Sequence, residues 1–326
     1  MLSIVSAVIT TYNSVSSIEA CLNSFLRQRY QPLEIVVVDN ASSDGTRDVL
    51  EKFRDRARIV LNQQNVGFAA AQNQGFSLAT GDWLLSLNPD VILDPDFIVQ
   101  LIAKADTDSQ IGTLCGKLLR WQPGSAEERS CVIDSTGIYF TRNLRHFDRG
   151  AEELDHGQYD SNEYVFGATG AAALYRREMI RDVSVAGQFF DEDFFAYRED
   201  ADVAWRAQLM GWKCFYVASA LGWHVRRVTP ERFEQLPLVI NWHSVKNRFL
   251  MRAKNISAPL YRRVFIPATF RDLMIVAYCL LRDRRLLPAL VVPWRKRKEL
   301  AGKRRWIQTH RRVPDRELFH WFTAAR

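Results

Sequence analysis

The chain has 326 residues, 47% of them hydrophobic, which suits a large buried core and excludes long disorder. Five cysteines (Cys21, Cys115, Cys131, Cys214 and Cys279) show no CxxC spacing and read as reduced cytosolic thiols, excluding a disulfide framework or zinc site. The formal charge of +7 is uneven: residues 225–326 hold 24 Lys/Arg and 7 Asp/Glu, a balance of +17, whereas the rest holds 20 basic and 30 acidic residues.

Met1-Leu2-Ser3 leads straight into the apolar run Ile4–Ile9 without a basic flank, so no signal peptide is expected. Val5–Ile9 reads as a strand that empties into the polar segment Thr10–Ser14. Ser17–Arg27 has apolar residues at helical spacing, and Leu33–Val38 is a second strand ending at Asp39-Asn40. Ala41–Thr46 is turn-forming and leads into a helix over Arg47–Phe53. Ile59–Leu61, a helix over Gly67–Ala79 and the strand Trp83–Leu87 follow. Strands alternating with helices predict an α/β fold, a mainly parallel sheet covered on both faces. Beyond it, Gly116–Leu119, Ile133–Tyr139 and Ala171–Tyr175 read as strands, and Glu178–Val183 as a short helix. Phe194–Met210 is helical in its second half and stops at Gly211, before a last strand at Lys213–Ala218. Residues 236–254 and 270–312 are mostly helical and basic.

Carboxylates at two strand ends and one helix start are the candidates for chemistry. Asp39 ends a buried strand beside the Thr11-Tyr12-Asn13 loop, where ligands of open α/β sheets bind. It accepts from a base imide or a sugar hydroxyl, or it caps a turn, as Asp44 before Gly45-Thr46 equally can. Trp83–Leu87 empties onto Asn88-Pro89-Asp90, and Pro89 displays Asp90 just past the strand end. That carboxylate holds a divalent cation against a diphosphate, or shapes a turn. His224, after the last strand, is a second candidate ligand. Glu199, Asp200 and Asp202 open a helix, either as acids favoured by its dipole or as a general base beside Phe194, Phe195 and Tyr197. No GxGxxG follows the first strand and no GxxxxGK[ST] occurs, which disfavours dinucleotide and P-loop enzymes.

Together Val8–Asn13, Val36–Thr46, Asn65–Ala69, Asn73–Gly75, Ala79–Asp82, Leu87–Asp90 and Phe195–Asp202 resemble the GT-A fold glycosyltransferases of family 2, over about residues 4–226. The Asn88-Pro89-Asp90 form with Asn65-Val66-Gly67-Phe68 resembles the bacterial rhamnosyltransferase-like branch. The resemblance implies a GT-A domain over 1–225, with a nucleotide-sugar half at about 1–110 and an acceptor half at about 111–225. A basic helical region over 226–326 follows. It implies that Thr11, Tyr12, Asn13, Asp39, Asn73, Asn88 and Asp90 contact the nucleotide sugar. Asp90 and His224 would hold Mg²⁺ or Mn²⁺, and Gly167, Ala168, Thr169 and Gly170 would line the sugar and acceptor pocket. Asp200 would be the base of an inverting transfer, with Glu199 orienting it. The implied donor is dTDP-L-rhamnose and the acceptor a lipid-linked or cell-surface glycan. The implied alternatives are an N-acetylhexosamine or galactofuranose donor, or a nucleotide-sugar-binding relative without turnover. Two departures stand out: Asn88 replaces the usual first Asp, and Gln72 stands where Arg is common. The Gln-x-x-Arg-Trp signature of processive synthases is absent, in keeping with transfer of a single sugar.

The apolar patches Leu273–Leu281 and Leu286–Trp294 each fall short of the ~20 residues of a spanning helix. With the basic clusters beside them they predict peripheral attachment to an anionic membrane, on the inner face of the cell membrane, or else a basic solvated helix packed on the body. The basic third carries no RNA- or DNA-binding motif, so nucleic acid is not an expected partner.

Overall fold

The computed structural model describes residues 3–121, 129–226 and 237–322. The strands are β1 (Val5–Thr11), β2 (Leu33–Asp39), β3 (Arg58–Leu61), β4 (Trp83–Leu87), β5 (Val91–Leu93) and β6 (Ile111–Trp121). They continue as β7 (Arg129–Ser135), β8 (Ile138–Phe140), β9 (His146–Asp148), β10 (Glu163–Val165), β11 (Ala172–Arg176) and β12 (Lys213–His224). The helices are α1 (Ile18–Leu26), α2 (Thr46–Glu51), α3 (Phe68–Leu78), α4 (Phe97–Ala105), α5 (Arg177–Val183) and α6 (Glu199–Leu209). The rest are α7 (Leu238–Asn255), α8 (Ala258–Leu281), α9 (Leu287–Arg295), α10 (Arg297–His310) and α11 (Asp315–Leu318).

The central sheet runs β10-β12-β6-β11-β4-β1-β2-β3, with β5 on β12 and β7 on β6. Strands β1 to β4 are parallel and β11 inserts antiparallel between β4 and β6, giving the mixed, mostly parallel sheet of a GT-A-like fold. Every residue of β1 and β4 is buried because helices cover both faces, as their unbroken apolar runs require. Gly75 lets α3 approach β1, since a Cβ there would strike Val8.

Two sequence expectations change. The Ile133–Tyr139 run is broken at Gly137, whose φ of 117° favours glycine, so β7 joins the main sheet and β8 pairs with β9. The second C-terminal apolar patch is short, as the nine-residue helix α9, but the first is not. Ala258–Leu281 is one uninterrupted 24-residue helix, and among the described residues it alone is long and apolar enough to cross a membrane. Pro267 and Arg271-Asp272 interrupt its apolar pattern in sequence, yet the backbone passes through them.

The basic helices pack on the sheet-bearing part. Phe140, Phe166, Phe194 and Trp205 share one core with Leu250, Leu260, Ile307 and Phe322. The acidic run before α6 meets its counter-charges there: Asp191 pairs with Lys254 and Lys303, and Asp193 with Lys296 and Lys303. The expected boundary at 225/226 abuts residues 227–236, which lie outside the described residues.

Candidate active site

The site forms where β1, β2 and β4 end together. The register pairs Thr11 with Asp39 and Ile9 with Leu87, so the Thr11–Asn13 loop, Asp39 and Asn88-Pro89-Asp90 emerge on one edge. Asp39 is fully buried; it accepts from Thr11 Oγ1 (3.0 Å), the Ser42 backbone N–H (3.1 Å) and Arg47 Nε (2.7 Å). Tyr12 is half exposed beside it. Asn13 ties this loop to the next, accepting from Ser43 N–H at 2.9 Å. Asp44 shapes a turn by accepting from Thr46 and Val15.

Residues 88–91 form a turn, the Val91 N–H donating to Asn88 O (3.2 Å). Antiparallel pairing of β5 with β12 sets His224 opposite Val91, so its imidazole reaches the turn. His224 Nε2 lies 3.4 Å from Asp90 Oδ1, and Nδ1 lies 2.8 Å from Oδ2 of the buried Asp134. The Asp134 carboxylate only accepts, so Nδ1 carries a proton, and Nε2, which faces Asp90, carries one as well until a cation displaces it. Burial opposes charge on His224, but Asp134 and then Asp90 outweigh it and push its pKa up to about 9. Arg120 and Arg226 hold Asp134 from the other side, at 3.1 and 2.9 Å.

This donor set suits a divalent cation. A carboxylate oxygen and an imidazole nitrogen 3.4 Å apart approach the ~3 Å spacing of adjacent ligands on one octahedral ion. The carboxylate behind the imidazole is the arrangement that orients metal-binding histidines. Among the described residues no cluster of three His, Cys, Asp or Glu side chains surrounds a metal position. A hard cation here would therefore draw further ligands from a bound diphosphate or water.

Asp200 sits in the first turn of α6, accepting from the Gly170 N–H (3.0 Å) and the Ala201 N–H (2.7 Å). The next carbonyl along, Ala171 O, accepts from the Asn88 N–H at 2.8 Å, so Gly170-Ala171 joins both halves of the site. Burial raises the Asp200 pKa, the Gly170 N–H opposes this, and Asp148 adds to it. Glu199 is buried, and desolvation followed by Asp200 pushes its pKa up to about 8. Two adjacent carboxyls in one buried turn do not ionise freely together, so one tends to keep its proton.

The backbone before this pair is unusual. Phe195, Tyr197 and Arg198 have φ of 65°, 71° and 71°, a left-handed path costly for residues with a Cβ. Asn247 of α7 clamps it: Nδ2 lies 2.9, 2.8 and 2.7 Å from the carbonyls of Phe194, Ala196 and Tyr197. A helix of the basic third thus holds the approach to Asp200.

Other sequence-selected residues take the following places. The Asn73 amide staples α3 to the segment before α6, bonding Phe190 O (2.7 Å), Glu192 Oε1 (3.0 Å) and the Phe190 N–H (3.0 Å). Gln72 is fully buried against Val8 O. Gly167 and Ala168 line a small cavity behind Asp200 with Tyr175 and Cys214, while Thr169 is buried and Gly170 binds the carboxylate. A cavity of about 550 Å³ at Thr80, Trp83 and Arg177 lies by the start of β4, away from this edge. Sequence reasoning missed Asp134, Arg198 and Asn247. The break at Gly137 was the available hint that β7 ends near His224.

A family model described as glycosyl transferase family 2 matches residues 6–184, more than half of the chain; Glu199, Asp200 and His224 lie beyond it. The poly-beta-1,6-N-acetyl-D-glucosamine synthase of Staphylococcus aureus (strain COL) is 25% identical over 218 residues, 65% of this chain and 47% of that protein. The chain thus spans about half the length of the curated relatives it matches. The crystal structure of GalNAc-T7 with UDP, GalNAc and Mn²⁺ matches at a TM-score of 0.61 and 15% identity, covering 78% of this chain and 49% of that one. S. aureus TarS 1–349 in complex with UDP-GlcNAc matches at 0.55 and 16%, covering 87% and 78%. Such structural matches establish a shared fold.

Proposed function

The chain belongs to glycosyl transferase family 2, and from that premise we propose that it is an inverting enzyme that moves one sugar from a nucleotide donor to a glycan acceptor in polysaccharide biosynthesis. The observation that carries this reading is the Gly170-Ala171 junction. It sets a partly desolvated carboxylate, Asp200, against the loop that presents Asp90 to His224. In this reading Asp200 takes the proton from the acceptor hydroxyl as that oxygen attacks the anomeric carbon. The Gly170 and Ala201 N–H groups aim the carboxylate, and its raised pKa makes it a stronger base than an exposed one. Asp90 and His224 would hold Mg²⁺ or Mn²⁺, whose positive charge would offset that of the departing nucleoside diphosphate. Thr11, Tyr12, Asn13 and Asp39 shape the nucleoside edge, with Asn88 beside the diphosphate.

Replacing Asp134 with Asn isolates the support behind His224. Mn²⁺-assisted UDP binding should weaken about 10–100-fold, while UDP binding without metal changes little. Calorimetric titrations with and without Mn²⁺ read both.

For the donor, Asn88-Pro89-Asp90 with Asn65–Phe68 supports dTDP-L-rhamnose. A second reading, a UDP-N-acetylhexosamine, is supported by the relatives, whose names carry N-acetylglucosamine or GalNAc. A nucleotide-sugar panel scored for nucleoside diphosphate release, with and without EDTA, decides between them. Release from one donor, lost with EDTA, is expected; release from none would reject transfer.

The acceptor is proposed to be lipid-linked, with the enzyme peripheral on the inner, cytoplasmic face of the cell membrane. Support comes from α8, where Ile266 (79% exposed), Phe270, Leu273 and Leu281 (82%) form one open apolar stripe. Arg262, Arg263, Arg282, Arg284 and Arg285 are exposed around it, a rim complementary to anionic lipid. A second copy would set the same positive rims against each other. Buried Val264, Ala268 and Cys279 and the Asp272–Arg248 pair tie the opposite face of α8 to the body, which supports a helix lying along the membrane surface. Flotation with phosphatidylglycerol-containing vesicles is expected, falling at least about tenfold in Ile266→Asp/Phe270→Asp with an unchanged melting temperature. Equal flotation of both proteins would reject this attachment.

A further inference from the structure

Arg198 is the cation that the reaction scheme leaves without a task. It precedes the proposed base by two residues and sits in the strained left-handed turn that Asn247 clamps. Its guanidinium reaches Ser244 O (Nε, 3.1 Å), Ser244 Oγ (Nη2, 3.2 Å) and His146 Nδ1 (Nη1, 3.0 Å). All three partners are neutral. Burial, followed by the Arg198, Arg145 and Arg248 charges, holds the His146 pKa well below its ordinary value, so its Nδ1 accepts.

Neighbouring arginines behave differently. Arg206 pairs with Asp202, Arg226 with Asp134 and Asp148, and Arg248 with Asp272. Among the described residues no carboxylate lies within ion-pair distance of Arg198; desolvation followed by Arg248 and Arg145 lowers its pKa to about 9, and the more distant Asp200 charge opposes this only in part. A largely desolvated guanidinium amid other cations is costly unless an anion completes it.

We propose that Arg198 and its His146–Ser244 cradle form an anion site for a phosphate ester carried by the acceptor, holding the acceptor hydroxyl beside Asp200. This rests on the reading of Asp200 as the base. The acceptor, rather than the donor, is the source of the phosphate because of where the cradle lies. Ser244 is on α7 and His146 on β9, both outside the β1–β4 region whose strand ends form the nucleoside edge. Arg271 of α8, the helix with the exposed apolar stripe, adds to the same positive field. A guanidinium fork matches phosphate oxygens in pairs, a geometry that Lys lacks.

The test titrates the full chain, its donor site saturated with UDP and Mn²⁺, with phenyl phosphate. Arg198→Gln should weaken binding at least about tenfold while UDP affinity stays unchanged. Vesicles containing phosphatidic acid or phosphatidylglycerol form the second arm. Loss of a phosphatidic acid preference in the variant assigns a lipid-borne phosphate, and an effect on phenyl phosphate alone assigns a soluble one. Equal behaviour of variant and wild type in both arms would overturn the site. Should the variant not fold, phenylglyoxal labelling of wild type decides: phenyl phosphate should protect Arg198 but not exposed Arg262, and no protection overturns the proposal. Neither readout needs turnover, so failure here is distinct from failure of the Asp200 assignment.

Discussion

Asp200→Asn should reduce kcat by about 10²–10⁴-fold while leaving donor affinity nearly intact. Asparagine keeps the size of the side chain, and its carbonyl oxygen can still accept from the Gly170 N–H. It removes the basic lone pair that takes the proton in the proposed transfer. The rate therefore falls without disturbance of the nucleoside edge, which is built on β1 and β2. Single-turnover kinetics beside UDP titration separates the two effects. A turnover near wild type would move the base elsewhere, with Glu199 the nearest carboxyl.

Lys254→Met should destabilise the protein by about 1.5–3 kcal/mol, because it takes one charged donor from two buried carboxylates, Asp191 keeping Lys303 and Asp202 keeping Arg206. Lys254 is buried between Asp191, which it pairs with directly, and Asp202 at 2.9 Å. Methionine keeps much of the volume, so the change isolates the charge. Burial pushes the Asp191 pKa up, but Lys254 and Lys303 outweigh it and hold it well below the ordinary carboxylate range. A depressed carboxylate stabilises the fold above its unfolded pKa of about 4 and loses that contribution as pH falls toward its folded value. Wild type should therefore lose stability below about pH 4 more steeply than Lys254→Met. Urea unfolding at pH 7 and at acid pH measures both effects. Equal midpoints at pH 7 would show that the basic third is not bound to the body through these charges.

Much of the sheet was legible because its signal is local. Trp83–Leu87 matches β4, and the stop at Gly211 follows α6, because a continuous apolar run and a left-handed glycine need no partner to be recognised. Asp90 and Asp200 were likewise visible as carboxylates at a strand end and a helix start. What stands behind them was not. Asp134 reaches His224 only through two sheet pairings, β7 on β6 and β12 on β6, which periodicity does not encode. Asn247 and Lys254 looked like polar positions on a basic helix, yet both are buried against the segment before Asp200. Charge counts register how many cations there are, and long-range packing decides which of them meet buried acids. Helix α8 was hidden because Pro267 and Arg271-Asp272 split its apolar pattern.

The central claim is a single displacement assisted by Asp200. The most direct measurement is the anomeric configuration of the glycosidic bond formed on the acceptor, read from the one-bond carbon–proton coupling at the transferred sugar's anomeric carbon. The expected product is inverted relative to the donor, formed by wild type and not by Asp200→Asn. A product with the donor's configuration would contradict it.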